Sequence, residues 1–169
     1  MNPRIYRFAA LALLGTTTAA QTAKPSASNS AKKDAANAGV RYINPPGLAA
    51  NPRFSQMAEI TGGRMILISG QVAYDKSGSV VGKGDIRAQS TQVFENLKIA
   101  LDAVGASFND VVKLNTFLVD MSANISGYRE VRERYLAKND HPPASTTVGV
   151  SALVNPDLLL EVEAVVVPK

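Results

Sequence analysis

The sequence contains no cysteine and one histidine, His141. Without cysteine, the protein has no disulfide, no thiolate nucleophile and no thiolate metal site. A single histidine cannot supply the clustered ligands of a zinc or iron centre. The chain also lacks a G-x-S-x-G motif, and His141 lies in a proline-bound loop after a predicted helix, so we do not predict a serine triad. The segment Gly82-Lys-Gly84 lacks the third glycine of a dinucleotide fingerprint and is interpreted as a plain loop.

The apolar run near the start of the chain is too short for a permanent membrane span. It extends over residues 8–15, whereas a spanning helix needs about 20 residues. Arg4 and Arg7 precede this run, and the small residues Thr18-Ala-Ala20 follow it, which is the pattern of a cleaved export signal. We predict a signal peptide at residues 1–20, a mature chain that begins near Gln21, and a periplasmic or secreted protein without stable membrane insertion after cleavage.

The formal charge of +4 does not describe the part of the chain that is expected to fold. Residues 21–41 are small and polar and are predicted to be a disordered linker. The leader and the linker hold the whole basic excess, because residues 42–169 contain twelve basic and thirteen acidic side chains. We therefore predict one folded domain at 42–169 that has no nucleic-acid partner, and a ribonuclease role is disfavoured.

Hydrophobic periodicity in this domain predicts an α+β fold. Strand and helix patterns follow one another in the order β-β-α-β-α-β-β, with possible extra strands near the start. The predicted elements are a hairpin of 54–60 and 65–69 around the Thr61-Gly-Gly63 turn, a helix from the N-cap Asp85 to Gly105, a strand at 111–119, a helix at about 124–138, and strands at 145–152 and 158–167. This order indicates two helices packed on one face of a mixed sheet.

Several of the predicted strands are apolar on both faces, including 65–68 and 165–167. Two helices can cover one face of such a sheet, so the other face needs a second cover. Another copy of the chain is the simplest candidate. The pattern therefore predicts a homo-oligomer.

The last predicted strand carries two carboxylates, Glu161 and Glu163, on the face opposite Leu160 and Val162. An ionised carboxylate on a sheet is solvated, paired or functional, because leaving it buried without a partner is too costly. At i,i+2 spacing the two groups lie roughly 7 Å apart, which suits separate partners better than a shared proton. Both a functional pair and a rim pair bound to basic side chains remain open.

A run of arginines alternates with acids along the second predicted helix. Helical spacing pairs Glu130 with Arg134 and Arg129 with Glu133, so we predict a solvated, ion-paired face. Arg132 borders the apolar stripe of this helix. It is the arginine that could reach a cleft.

Six short segments occur in the order typical of one known family. They are Asn51-Pro-Arg-Phe-Ser-Gln56, Ser69-Gly-Gln71, Gln92-Val-Phe-Glu-Asn-Leu97, Val119-Asp-Met121, Pro143-Ala-Ser145 and Glu161-Val-Glu-Ala164. On these segments, residues from about 42 to 169 resemble the RidA/YjgF family. The resemblance implies a chorismate-mutase-like fold and a homotrimer with ligand clefts between subunits. It also implies hydrolysis of 2-imino or enamino acids to 2-keto acids and ammonia without cofactor or metal.

The resemblance also implies roles for individual residues. The family's catalytic positions correspond to the cleft serine Ser69 and to Glu161, which would orient water. Substrate-binding positions correspond to Phe54, Gly70, Tyr128 and Ser145, with Arg132 as a candidate cation. The family's substrate-binding arginine is replaced by Ser145, which cannot form the two charge-assisted bonds that a guanidinium makes to a carboxylate.

Three hypotheses about function follow from this substitution. The first is a trimeric small-molecule binder or atypical hydrolase that uses Glu161 and Ser69 on a ligand without the usual carboxylate. The second is an imine deaminase whose substrate-binding cation lies elsewhere, for example at Arg132. The third is an interaction or chaperone-like protein. If loss of the arginine silences the chemistry, Ser145→Arg should raise activity on 2-imino acids.

Overall fold

The computed structural model describes residues 39–49 and 51–169. The predicted signal peptide and most of the predicted linker lie outside this range, so both stay predictions. The elements are β1 (Val40–Ile43), β2 (Met57–Ile60), β3 (Ile66–Gln71), α1 (Ile86–Asp102), a 3-10 turn (Phe108–Asp110), β4 (Val111–Val119), α2 (Met121–Leu136), β5 (Ala144–Val150) and β6 (Leu160–Val166). Neither α-helix in the described part is long and apolar enough to cross a membrane.

The main sheet has four strands in the order β3-β6-β4-β5. β6 runs antiparallel to both of its neighbours, whereas β4 and β5 are parallel. α1 and α2 pack against one another and against this sheet, with Phe94, Leu97, Leu114 and Leu160 almost fully buried between the layers. The predicted fold class, two helices on one face of a mixed sheet, is confirmed.

Alternation along β6 follows the predicted pattern. Leu160, Val162 and Val166 are buried under the helices, whereas Glu161 and Glu163 lie half-buried on the opposite face of the sheet. This face is called the outer face below. It also carries Leu67, which is 71% exposed.

The predicted hairpin of 54–60 and 65–69 is wrong. β2 pairs with β1, in the register Val40 to Ile60, and β3 pairs with β6, in the register Ile66 to Val166. The reason is that β3 gains apolar neighbours on the central strand β6, which the short segment β2 cannot offer. The first two residues of β1, Val40 and Arg41, belong to the segment predicted as linker.

Both helices begin at an aspartate. Asp85 caps α1 as predicted, and its carboxylate accepts hydrogen bonds from the backbone of Arg87 at 2.9 Å and Ala88 at 3.2 Å. α2 begins at Met121, earlier than predicted, because Asp120 caps it and accepts from Ala123 N. These caps set the start of each helix.

One buried polar atom in the core has no partner among the described residues. The hydroxyl of Ser90 on α1 is fully buried and makes no hydrogen bond there. We expect Ser90→Ala to raise the free energy of unfolding by about 1 kcal/mol, because it removes an unsatisfied group and improves helix propensity. Urea unfolding followed by circular dichroism measures the change.

Ser107→Ala is the matched control for this substitution. The Ser107 hydroxyl caps the 3-10 turn and bonds Asp110 at 2.8 Å. Its removal should lower stability by about 1 kcal/mol. A Ser90→Ala protein that is less stable than the wild type would mean that this hydroxyl has a partner.

Candidate functional site

The structure divides the predicted site residues between two places on the chain. One group lines a cleft of about 190 Å³ beside α2, and the other lies at the outer face of the sheet. The cleft group is Phe54, Tyr128, Arg132 and Ser145, and the outer group is Ser69, Gly70 and Glu161. The two groups therefore face away from each other across the sheet.

Ser145 reaches the cleft through the register of the edge strand β5. It pairs with Leu114 on β4, and Thr147 pairs with Thr116, so both side chains point toward the helices. The outer face of the same strand carries Thr146, whose hydroxyl accepts from Lys113 at 2.7 Å. Strand alternation thus places Ser145 on the side of the sheet that faces the helices.

Phe54 is held at the cleft by the residue that follows it. The Ser55 hydroxyl donates to the carbonyl of Pro142 at 2.7 Å, and the Ser55 amide donates to that of Pro143 at 3.3 Å. These bonds tie the segment before β2 to the proline loop before β5. The ring of Tyr42 on β1 also stacks on His141 of this loop, with ring centroids 5.0 Å apart.

The floor of the cleft is formed by Tyr128 on α2. Its phenol is 1% exposed and shares a 2.7 Å hydrogen bond with the hydroxyl of Thr116 on β4. Burial raises the pKa of Tyr128, although the bond to Thr116 and the nearby Arg132 oppose the rise. The side chain is therefore a neutral phenol at physiological pH.

Arg132 is a buried cation at this floor. It is 5% exposed, and its Nη2 donates to the carbonyl of Arg53 at 2.9 Å. Among the described residues, the carboxylate in contact with it is that of Glu133, at 3.4 Å from Nη1, and that side chain is half exposed. A long pair with an exposed acid compensates a buried charge poorly. The guanidinium can therefore accept a further anion from the cleft.

Two exposed arginines, Arg53 and Arg129, line the same cleft. Within residues 39–49 and 51–169, neither makes an ion pair. The predicted pair of Arg129 with Glu133 is thus wrong, because Glu133 is in contact with Arg132 instead. The predicted pair of Glu130 with Arg134 is confirmed.

The outer group is organised around a close approach of Glu161 to Gly70. A Cβ atom on Gly70 would lie 1.7 Å from Oε1 of Glu161, so the carboxylate occupies space that a side chain would need. At the start of β6, the buried amide of Gln89 accepts from Leu159 N at 2.8 Å and donates to the carbonyl of Asp157 at 2.7 Å. This anchor sets the register that delivers Glu161 to Gly70.

Glu163 has different neighbours from Glu161, as the spacing predicts. It accepts a 3.3 Å bond from Asn115 of β4 and lines a second cleft, of about 240 Å³, with Lys113 and Ser69. Ser69 therefore lies beside Glu163, while Gly70 lies beside Glu161. The two carboxylates therefore have different neighbours.

Sequence reasoning missed four residues of the first cleft: Asn51, Arg53, Arg129 and Thr147. Thr147 could have been found, since it lies two residues after Ser145 and shares its face. Arg53 could have been found too, because it directly precedes Phe54 in the segment Asn51-Pro-Arg-Phe-Ser-Gln56. Arg129 was missed because it was predicted to pair with Glu133. In the described part of the chain, no three acidic or histidine side chains cluster as metal ligands do.

Comparison with known proteins identifies the family. Residues 46–168 match the family model of endoribonuclease L-PSP. A RutC family protein from Pyrococcus horikoshii is 41% identical over 107 residues, which is 63% of this chain and 81% of the relative. A protein named 2-iminobutanoate/2-iminopropanoate deaminase from Dermatophagoides farinae is 31% identical over 129 residues, 75% of this chain and 95% of that one.

A solved structure has the same fold. It is the Rid family protein YyfB of Yersinia pestis, described as a protein of unknown function, which superposes with a TM-score of 0.69 at 38% identity. The superposition covers 76% of this chain and 98% of the other. The chain therefore belongs to the endoribonuclease L-PSP family, which is the RidA/YjgF family that its six segments indicate.

Proposed function

We propose that the protein is a homotrimeric imine deaminase in which Arg132 binds the substrate carboxylate in place of an arginine at position 145. The observation that carries this proposal is the buried guanidinium of Arg132, which lines the cleft beside Ser145 and has no buried counter-charge among residues 39–49 and 51–169. The Dermatophagoides farinae relative, named as a deaminase of 2-imino acids, supports the reaction class. Among the three hypotheses, this geometry favours the deaminase with a relocated cation.

The trimer is part of the proposal because one chain holds the two halves of the site apart. Arg132 and Ser145 lie on the helix side of the sheet, whereas Glu161 lies on the outer face. A neighbouring copy can bring its Glu161 to this cleft if its outer face packs along the edge strand β5, on which Ser145 lies. Leu67, 71% exposed, and Val148, 40% exposed, give that face apolar area to bury.

The chemistry follows from the charges of these groups. Arg132 binds the carboxylate of the 2-imino acid through charge-assisted bonds worth roughly 1.5–3 kcal/mol each. Glu161 of the neighbouring copy orients a water molecule, whose oxygen adds to the imine carbon. Proton transfer to the nitrogen and cleavage of the C–N bond then release ammonia and leave a 2-keto acid. No electron is transferred.

Ammonia release tests the proposal directly. The protein is mixed with freshly generated 2-iminobutyrate, and ammonia formation is compared with the spontaneous rate. Catalysis by a species that sediments as a trimer is the expected result. A stable monomer at micromolar concentration, or no acceleration with any 2-imino acid tested, would overturn the proposal.

We also propose that the mature protein acts outside the cytoplasm. The basic residues, short apolar run and small residues at positions 1–20 support a cleaved export signal. Intact mass of the secreted or periplasmic protein should show a chain that begins near Gln21. An uncleaved cytosolic chain would contradict this assignment.

The contact between Gly70 and Glu161 gives a sharper prediction. Gly70→Ala should displace the Glu161 carboxylate, because the new methyl group would lie 1.7 Å from Oε1 in the present arrangement. Since misplacing a catalytic group by about 1 Å can cost roughly a hundredfold in rate, we expect kcat to fall by about that factor. Steady-state ammonia release measures it.

Gly62→Ala is the matched control for this substitution. Among the residues that the structure describes, none lies within 4 Å of the position that a Cβ atom on Gly62 would take. We expect that variant to keep wild-type kcat. A Gly70→Ala enzyme with undiminished kcat would show that the position of Glu161 does not matter.

A further inference from the structure

The cleft that holds Arg132 carries more positive charge than one substrate carboxylate requires. Three guanidinium groups line it, those of Arg53, Arg129 and Arg132. Within the described residues, the one ion pair among them is the long contact of Arg132 with Glu133. A simple 2-imino acid brings a single negative charge, so two cations would remain without a counter-charge.

The three arginines lie at different depths. Arg132 is 5% exposed and reaches the floor, whereas Arg53 and Arg129 are exposed at the mouth. Arg129 and Arg132 are three residues apart on α2 and so share one face of this helix. Arg53 is held at the same cleft, because its carbonyl accepts the 2.9 Å bond from Arg132. The arrangement offers one deep cation and two shallow ones.

We propose, on the basis of the deaminase function above, that the preferred substrates are 2-imino dicarboxylic acids. The carboxylate next to the imine binds Arg132, and the second carboxylate binds Arg53 and Arg129 at the mouth. A dianion neutralises cations that otherwise repel one another, and a cleft lined by one sign of charge concentrates ligands of the opposite sign.

The size of the cleft points to a small dianion. Its volume of about 190 Å³ is below the roughly 300–1,000 Å³ typical of sites for drug-sized ligands. A dicarboxylic acid of four or five carbons suits this space better than a phosphorylated sugar or nucleotide. Hydrolysis needs no further reactant, because water supplies the oxygen of the new carbonyl and the hydrogens that leave with ammonia.

A comparison of two four-carbon imines tests the inference. 2-Iminosuccinate and 2-iminobutyrate are generated in place from aspartate and 2-aminobutyrate by amino-acid oxidases, and kcat/KM is measured for both with the full-length protein. We expect at least a tenfold preference for 2-iminosuccinate. In the double variant Arg53→Gln, Arg129→Gln the preference should disappear. Arg134→Gln, on the same helix but paired with Glu130, should keep it.

The outcomes separate this inference from the proposed function. Equal kcat/KM on the two imines, or a preference that survives in the double variant, overturns the dicarboxylate inference and leaves the deaminase proposal intact. Hydrolysis of neither imine overturns the deaminase proposal. In that case calorimetry decides the inference: succinate binding tenfold tighter than butyrate in the wild type, but not in the double variant, supports the dianion site, and equal binding overturns it.

Discussion

Replacing Arg132 by methionine is expected to lower kcat/KM for 2-imino acids by about two orders of magnitude. The loss of two charge-assisted bonds accounts for a factor of this size, since about 1.4 kcal/mol corresponds to tenfold. Arg132→Lys should recover little of the loss, because an ammonium group keeps the charge but not the planar pair of donors. Steady-state kinetics on 2-iminobutyrate measures both variants.

A merely structural role for Arg132 would give a different result. Arg132 is a buried cation whose carboxylate neighbour is half exposed, so an apolar side chain of similar volume should cost the fold little. We expect the unfolding temperature of Arg132→Met to be equal to or higher than that of the wild type, while activity falls. Loss of both stability and activity would indicate that Arg132 supports the fold instead.

Position 145 offers a rescue of the same variant. In the wild type, Ser145→Arg adds a further guanidinium to a cleft that already holds three, so we now expect no gain in activity. In the Arg132→Met background, the same substitution puts a cation at position 145, where the resemblance implies an arginine, and activity should rise at least tenfold. Wild-type activity in Arg132→Met alone would show that the carboxylate is bound elsewhere.

Glu161→Gln is expected to have an equally large effect but on a different kinetic constant. A positioned general base contributes about 10²–10⁴ in rate, so kcat should fall by a factor in that range while KM changes little. Glutamine keeps the shape beside Gly70 and removes the basicity. Single-turnover ammonia release from 2-iminobutyrate separates the chemical step from binding.

Glu163→Gln is the matched control on the same strand and face. Glu163 binds Asn115 and lies away from Gly70, so its variant should remain within a few-fold of wild-type kcat. If both substitutions lowered kcat equally, the loss would not be specific to Glu161. The Glu161 assignment would then fail.

Mixing two inactive variants tests whether the site is shared between copies. Arg132→Met and Glu161→Gln each damage one half of the proposed cleft. If the halves come from different copies, random reassembly of the two proteins leaves about one quarter of the sites with both halves intact, and activity returns. Absence of any recovery after verified subunit exchange would mean that one chain supplies both groups.

The sequence by itself determined the local features of this protein. Strand alternation assigned Glu161 to the face opposite Leu160, and periodicity with a capping aspartate located α1 after Asp85. These features depend on neighbours a few residues apart, which the sequence displays directly. The six family segments likewise stand in the sequence in order, and the fold class followed from them and from the order of elements.

Tertiary structure decided which segments and side chains meet. β3 pairs with β6 and not with β2, its neighbour in sequence, and Glu133 contacts Arg132 instead of Arg129. Strand pairing and ion pairing both depend on burial and on groups that are distant in sequence. Local patterns such as a turn motif or helical spacing therefore could not predict them. The same reason explains the site. The resemblance implied that Ser145 replaces an arginine, but only the packing of α2 on the sheet shows that Arg132 is buried beside Ser145.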